Sequence, residues 1–230
     1  MRKGLATFPS ALTTILVLAG LIGCGNGNMS QEARVRVFHA SPDAPNVDVL
    51  VDGGRVIEDV PYAAASEFLP LTVGQRQFTV TATGTDTAVI DTELKLNQDT
   101  DYLVVAAGKV ADIAPIVATV DRSDTESGTA RIRVLHSAAS APEVDIYVTT
   151  PGAEISGAEP VLTNVPFRAI SDYLSLPSGS YDVSVTLAGT KTVAIQALNL
   201  EISDGLIATV AALDNAGGGA PFSLKVLDER

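Results

Sequence analysis

The chain has 230 residues, of which 46% are hydrophobic and 18% are charged, and its formal net charge is −12. This length and composition suit two modest globular domains. The acidity argues against nucleic-acid binding, because neutralising phosphates requires clustered lysine and arginine side chains. It indicates either a surface charged for solubility or one that attracts a cation or a basic partner.

The N-terminus predicts a signal peptide over residues 1–23. Arg2 and Lys3 precede an apolar stretch, residues 11–22, which is short for a membrane span but typical of a signal-peptide core. The chain has one cysteine, Cys24, directly after this segment, so no disulfide can form within the chain.

The motif Leu-Ile-Gly-Cys that ends at Cys24 resembles the lipobox of bacterial lipoproteins. That resemblance implies cleavage before Cys24, attachment of diacylglycerol to its thiol and acylation of the new amino group, which together anchor a protein stably. Gly25 stands where an aspartate would indicate inner-membrane retention, so the outer membrane is favoured if the cell has two. Residues 24–32 are predicted to be a lipidated tether. The alternative is an uncleaved helix with an incidental cysteine.

From residue 33 onwards the pattern is that of short alternating strands rather than helices. Residues 34–39 predict a first strand, in which His39 lies on the same face as the valines. A proline-containing turn leads to a second strand over residues 47–51, with Asp48 on the face opposite its valines. The Asp-Gly-Gly of residues 52–54 predicts a hairpin into a third strand.

The rest of this unit predicts further strands. Proline inside residues 66–71 indicates an edge strand or a bulge. Residues 101–107 are apolar in both alternations, which predicts a central strand, and residues 113–120 close the unit. Residues 123–129 contain no large apolar side chain and are predicted to be a linker.

The pattern then repeats. His39 and Asp48 recur as His136 and Asp145, 97 residues later, and the offset then grows to 105. The second copy therefore carries eight extra residues, which fall in a loop over residues 149–160, where insertions are tolerated.

We therefore predict an all-β protein of two tandem antiparallel β-sandwich domains, residues 33–122 and 130–230, each an independent unit. Strand patterns alone leave the topology open between immunoglobulin-like and transthyretin-like.

Three motifs in these repeats resemble DUF4397, a bacterial family of exported proteins with a domain of unknown function. They are Arg-Val-Arg-Val-Phe-His-Ala-Ser-Pro-Asp-Ala-Pro-Asn-Val-Asp-Val from Arg34, residues 165–167 with 171–174, and residues 176–181. The resemblance implies two tandem copies and export, and it brings no activity with it. The second copy has no counterpart of Asp43, so a ligand function of Asp43 would be confined to the first domain.

The two histidines and their aspartates are candidate metal or proton sites, one pair in each domain: His39 with Asp48, and His136 with Asp145. The alternative is structural, with ring nitrogens that hold the turn or the facing strand. A zinc site needs three or four ligands, and each pair supplies two.

The sequence gives less support to a calcium site, a catalytic nucleophile or a phosphate-binding loop. One alternative is a calcium site between the domains, where Asp121, Asp124 and Glu126 offer oxygen ligands, although the sequence has no EF-hand spacing. The sequence has no Gly-x-Ser-x-Gly elbow and no glycine-rich phosphate loop that opens a helix. It therefore predicts no enzyme and no cofactor.

Two further sets of side chains are candidates for partner binding. Tyr62 and Phe167 each follow Val-Pro and either contact a partner or plug the end of a sandwich; Asp43 belongs to the same group of candidates. Four arginines point away from the valines: Arg34, Arg36, Arg131 and Arg133. We interpret them as side chains on a solvated face or as partners of nearby carboxylates. The less favoured alternative is a stripe that docks a partner protein.

The sequence thus predicts an exported protein, lipid-anchored to the cell envelope through Cys24, that acts as a non-enzymatic binding or spacer module. Its partners are expected to be the membrane and an envelope protein or glycan, and not a nucleic acid. The first alternative is a small-ligand or cation-binding lipoprotein that uses acidic loops or the His/Asp pairs. An envelope hydrolase is a distant alternative.

Overall fold

The computed structural model describes residues 31–230, which form 16 β-strands and two 3-10 helices, Val110–Asp112 and Ile155–Gly157. The predicted signal peptide, Cys24 and most of the tether lie outside the described residues. The first eight strands are β1 Glu32–Ala40, β2 Val47–Val51, β3 Gly54–Val60, β4 Leu69–Thr72, β5 Gly74–Ala82, β6 Ala88–Leu96, β7 Asp101–Ala107 and β8 Ala114–Val120. The second eight are β9 Thr129–His136, β10 Val144–Thr149, β11 Leu162–Val165, β12 Leu174–Pro177, β13 Gly179–Leu187, β14 Val193–Ile202, β15 Ile207–Leu213 and β16 Ser223–Asp228.

Each set of eight strands makes two four-stranded sheets. In the first sandwich the sheet orders are β4-β1-β7-β8 and β3-β2-β5-β6; in the second they are β12-β9-β15-β16 and β11-β10-β13-β14. We call the sheets that contain β1 and β9 the interface sheets, and those that contain β2 and β10 the outer sheets. The predicted tandem sandwiches are confirmed, as are the edge position of β4 and the central position of β7.

One feature of the topology differs from an all-antiparallel sandwich. Within residues 31–230, β1 pairs with β7 and β9 pairs with β15 in parallel, while the other ladders are antiparallel. A parallel pair needs a long crossover, and here the chain passes through the outer sheet between the two strands. This pairing is not visible in a local pattern of alternating residues.

Each sandwich has its own apolar core. In the first, Val35 and Val37 of β1 face Val49 of β2 and Phe78 of β5. In the second, Ile132 belongs to one core cluster and Ile146 to a neighbouring one. Alternation places the other residues of β1, β7, β9 and β15 on the opposite faces of the interface sheets.

Those opposite faces pack against each other and join the two sandwiches. Phe38 and Leu103 from the first sandwich share one buried cluster with Leu135, Leu213 and Leu227 from the second. Phe38 and Leu135 are fully buried there. The sequence led us to expect two independent units. In the structure, the two repeats are instead joined through a continuous apolar contact.

Candidate functional site

The two histidines hold the turns that follow β1 and β9. His39 Nε2 lies 3.1 Å from the backbone oxygen of Pro45, and the N–H of Ser41 donates to His39 Nδ1 at 3.3 Å. Since Nδ1 accepts, Nε2 carries the hydrogen and donates to Pro45. His136 Nε2 likewise lies 3.0 Å from the oxygen of Pro142, but within the described residues its buried Nδ1 has no hydrogen-bond partner. Burial lowers the pKa of both histidines, which favours the neutral rings.

The two aspartates hold other turns. Asp48 Oδ1 accepts from the N–H of Asp59 at 2.8 Å and from the hydroxyl of Thr83 at 3.0 Å. Asp145 accepts from the N–H groups of Asn164 and Gly189, both at 2.8 Å. The hydrogen bond from Asp59 is the main reason why the pKa of Asp48 is lowered. Asp59 and Asn164 both have positive φ, so each carboxylate stabilises a residue in a costly backbone conformation.

In each candidate His/Asp metal pair, the histidine and the aspartate therefore form hydrogen bonds to different turns. The ring of His39 and the carboxylate of Asp48 bond to different turns, and no hydrogen bond joins the two. With one nitrogen donating and the other accepting, His39 has no free lone pair for a metal. Across residues 31–230, no group of three or more His, Cys, Asp or Glu side chains could hold a metal ion.

The candidate calcium site contains an ion pair. Asp121 Oδ2 lies 2.6 Å from Nη1 of Arg131, and Asp121 Oδ1 accepts from the N–H of Ser123 at 2.9 Å. Hydrogen bonds from Ser123, followed by the contact with Arg131, lower the pKa of Asp121 to about 2. Within the described chain, this carboxylate serves as the partner of an arginine.

The three candidate partner-binding residues lie at the same end of the sandwiches as the histidines. Tyr62 and Phe167 meet the rings of His39 and His136 edge-on, with centroids 6.1 Å apart in both pairs. The Tyr62 hydroxyl also donates to the backbone oxygen of Asp214 in the other sandwich, at 2.8 Å. Burial, together with the negative charge of Asp214, raises the pKa of Tyr62 to about 12.

Asp43, the third candidate, is exposed and accepts from the N–H of Val110 at 2.8 Å, which fixes the start of the first 3-10 helix. Tyr62 is therefore an interdomain contact, and Asp43 a contact within its own sandwich.

A buried polar cluster in the interface was missed from the sequence. Arg133, 4% exposed, bonds to Glu229, 0% exposed, at 2.6 Å, and its Nε donates to the hydroxyl of Thr209 at 2.8 Å. The hydroxyl of Tyr173 donates to the second oxygen of Glu229 at 2.6 Å. Burial and this bond raise the pKa of Tyr173. The arginine that the pattern placed on an outward face therefore forms an ion pair within the second sandwich, and its Nη1 donates across the interface to the backbone oxygen of Thr119 in the first.

The eight extra residues of the second repeat shape the surface of its outer sheet. Two clefts flank this loop, with volumes of about 480 and 320 Å³. Lys191 fixes the loop, because its Nζ donates to the oxygens of Ile155 and Ala158 at 2.8 and 2.7 Å and lies 4.3 Å from the ring centre of Tyr147. The sequence located the insertion, but not the clefts that it builds.

The smaller cleft, which we call the β14 groove, runs between the insertion and strand β14. It is lined by Gly152, Ala153, Glu154, Ile155, Asp182, Val193, Gln196, Leu198 and Asn199. The buried carboxylate of Asp182 lies at its base and accepts from the N–H of Gly152 at 2.8 Å and of Asn199 at 2.7 Å. One side chain therefore fixes both walls, and the groove is formed before any partner arrives.

In the part of the chain that the structure describes, no helix has both the length and the apolar character needed to cross a membrane.

Comparisons with solved structures give distant similarities. The Bacillus anthracis TIE protein is 10% identical with a TM-score of 0.26, over 81% of this chain and 34% of that one, so this chain spans about a third of its length. A putative adhesin from Bacteroides ovatus is 10% identical with a TM-score of 0.26, over 86% and 93%. The family 26 carbohydrate-binding module of Eubacterium rectale Amy13K, solved with maltoheptaose, is 10% identical with a TM-score of 0.26, over 86% and 97%.

No curated protein matches the chain. A family model does, and it matches two adjacent segments, residues 33–147 and 151–230, which is consistent with two tandem copies. Together these segments span most of the chain, including both His-containing strands, both outer sheets and the polar interface. The chain therefore belongs to the DUF4397 family, whose domain is described as one of unknown function.

Proposed function

We propose that this is a lipid-anchored protein of the cell envelope whose two sandwiches act together as one non-enzymatic binding module. The observation that carries the proposal is the buried face shared by the interface sheets, in which Phe38 and Leu135 are fully buried. Because that contact fixes the two sandwiches relative to each other, the outer sheets form the two exposed sides of a rigid body.

The anchoring part of the proposal rests on the sequence around Cys24. The charged start, the apolar core and the Leu-Ile-Gly-Cys motif are those of a lipoprotein signal, and Gly25 favours the outer membrane in a cell with two. The described fold begins at Glu32, so a short tether would hold the sandwiches close to the membrane surface.

The non-enzymatic part rests on the tasks of the repeated polar side chains. His39, Asp48 and their counterparts in the second repeat stabilise turns through backbone groups. What distinguishes the second sandwich is a loop that builds clefts. We therefore assign binding to the outer surface, and a scaffolding role to the residues shared by both repeats.

Anchoring is tested by growing cells with radioactive palmitate and comparing the full chain with its Cys24→Ser variant. The proposal expects label on the wild-type chain in the membrane fraction and none on the variant. An unlabelled wild-type chain, or equal labelling of both, would rule out a lipid on Cys24.

Binding is tested by thermal unfolding of the full chain in detergent, with calcium, zinc, EDTA and envelope oligosaccharides. A ligand specific for the folded state, at about 100 times its Kd, should stabilise the chain by roughly 2.7 kcal/mol. That amount corresponds to a rise of several degrees in Tm. If no ligand shifts Tm, and cross-linking in whole cells captures no protein, the module is a spacer.

A further inference from the structure

The edge strands of the two outer sheets differ in a way that the repeats make directly comparable. β6 and β14 occupy equivalent edges, since Ile90 pairs with Val80 as Ile195 pairs with Val185. Along β6 the outward side chains after Ile90 include Asp91, Glu93 and Lys95. Charged side chains at every second position of an edge strand oppose its pairing with another chain.

The β14 edge lacks the charges of Asp91 and Glu93 at the equivalent outward positions. Gln196 stands where β6 has Asp91. Leu198 stands two residues further on, as Glu93 does in β6, but it lies with Asn199 in a β-bulge opposite Asp182, where the register with β13 shifts. Leu198 is 58% exposed, the highest fraction recorded for a large hydrophobic side chain in residues 31–230, and Val193 on the same strand is 43% exposed. Half of the backbone N–H and C=O groups of an edge strand point away from its sheet, so β14 offers hydrogen bonds beside apolar contacts.

The β14 groove adds a formed cavity next to this edge. Its walls are held by Asp182, and its volume of about 320 Å³ lies within the range of small ligand sites. Its lining within the described residues contains Glu154 and Asp182 and neither lysine nor arginine. On a chain with a net charge of −12, this groove attracts a cationic group.

We propose that β14 and its groove form a docking surface for an extended segment of a partner protein that carries lysine or arginine side chains. The partner's backbone pairs with the free edge of β14, as in strand addition to an exposed sheet edge. A basic side chain enters the groove, with its aliphatic stem beside Leu198 and Val193 and its charge towards Glu154. This inference rests on the proposed function and gives the binding module a class of partner.

The test uses the full chain in detergent and a short blocked peptide of alternating lysine and valine, followed by fluorescence anisotropy. We expect saturable binding, and a loss of about tenfold or more in affinity for Leu198→Lys. The matched control is Glu93→Lys at the equivalent position of β6, which adds more positive charge and should leave the affinity unchanged. A peptide that is N-methylated at alternate residues should not bind, because it lacks the donors that a β-ladder needs.

Several results would overturn this inference. They are a Kd weaker than about 1 mM for the basic peptide, equal affinity of the two lysine variants, and full binding of the N-methylated peptide, which would leave charge attraction alone. Binding of a maltooligosaccharide instead of the peptide would identify a glycan occupant. Because palmitate labelling and ligand-induced unfolding shifts are separate readouts, failure of the docking surface remains distinguishable from failure of the proposed function.

Discussion

Arg36 and Arg133 occupy the same position in the two repeats, and each donates a hydrogen bond across the interface to the last strand of the other sandwich. Arg36 Nη1 donates to the backbone oxygen of Asp228, and Arg133 Nη1 donates to that of Thr119 at 2.8 Å. The two acceptors are equivalent in the ladders β7–β8 and β15–β16. The contact therefore has the reciprocity of a two-fold dimer interface, built within one chain.

Removing one member of the buried ion pair should destabilise the protein strongly. Arg133→Ala leaves Glu229 buried without its cationic partner, and we expect a loss of about 3–5 kcal/mol in the free energy of unfolding. Arg34→Ala is the control, because its pair with Asp101 is half exposed on the arginine side and should be worth about 0–1 kcal/mol. Urea denaturation measures both; similar losses would contradict the role of Arg133.

Buried neutral histidines predict a loss of stability in mild acid. The folded pKa values of His39 and His136 lie below the usual 6.5, so as the pH falls through that value the unfolded chain binds protons first. Stability should therefore decline from about pH 6.5 downwards. The lowered pKa of Asp48 acts in a separate window, because its contribution is lost only below its usual value of 3.8.

The measurement is Tm as a function of pH for the wild type and for a double variant, His39→Gln with His136→Gln. Glutamine retains a donor for the prolyl oxygens but does not titrate, so the variant should have a flatter profile between pH 7 and 5. Parallel profiles for the two proteins would show that other groups cause the acid sensitivity.

Asp145 should be needed for the stability of the second outer sheet. Asp145→Ala leaves the N–H groups of Asn164 and Gly189 without their acceptor, which should cost about 1–3 kcal/mol. Asp145→Asn keeps one acceptor oxygen and should lose less. Chemical denaturation compares the two, and hydrogen exchange at Asn164 and Gly189 should accelerate in the alanine variant. Unchanged exchange would contradict the assignment.

Filling the core of the second sandwich should stabilise it. Phe78 and Val183 are equivalent, because they pair with Val51 and Val148 respectively, and the second core contains an apolar cavity of about 40 Å³ lined in part by Val183. We expect Val183→Phe to add about 0.5–2 kcal/mol. The reverse change, Phe78→Val, should cost about 2–3 kcal/mol in the first sandwich. Destabilisation by Val183→Phe would show that the core cannot rearrange to admit the ring.

Much of the architecture was readable from the sequence because it depends on local patterns. The alternating valines predicted the strands, and the Asp-Gly-Gly predicted a hairpin turn. The proline of β4 predicted an edge strand or a bulge. The twofold occurrence of His39 and Asp48 as His136 and Asp145 revealed the tandem repeat.

The fusion of the two sandwiches was missed, although its signal was present. Both faces of β7 are apolar because one packs in the sandwich core and the other packs against the second repeat. For the same reason, the faces of β1 and β9 that carry the arginines also carry the apolar residues Phe38 and Leu135. A strand pattern shows that both faces are buried, but not what covers the second face. The β14 groove depends on a loop conformation that Asp182 stabilises. The spacing of residues in the sequence does not predict that conformation.

The most direct test of a rigid two-domain module is differential scanning calorimetry of the full chain in detergent. If the interface sheets hold the sandwiches together, both should unfold in one cooperative transition, with the calorimetric enthalpy equal to the van't Hoff enthalpy. Two separate transitions, or a calorimetric enthalpy about twice the van't Hoff value, would mean that the sandwiches unfold independently and would contradict the account.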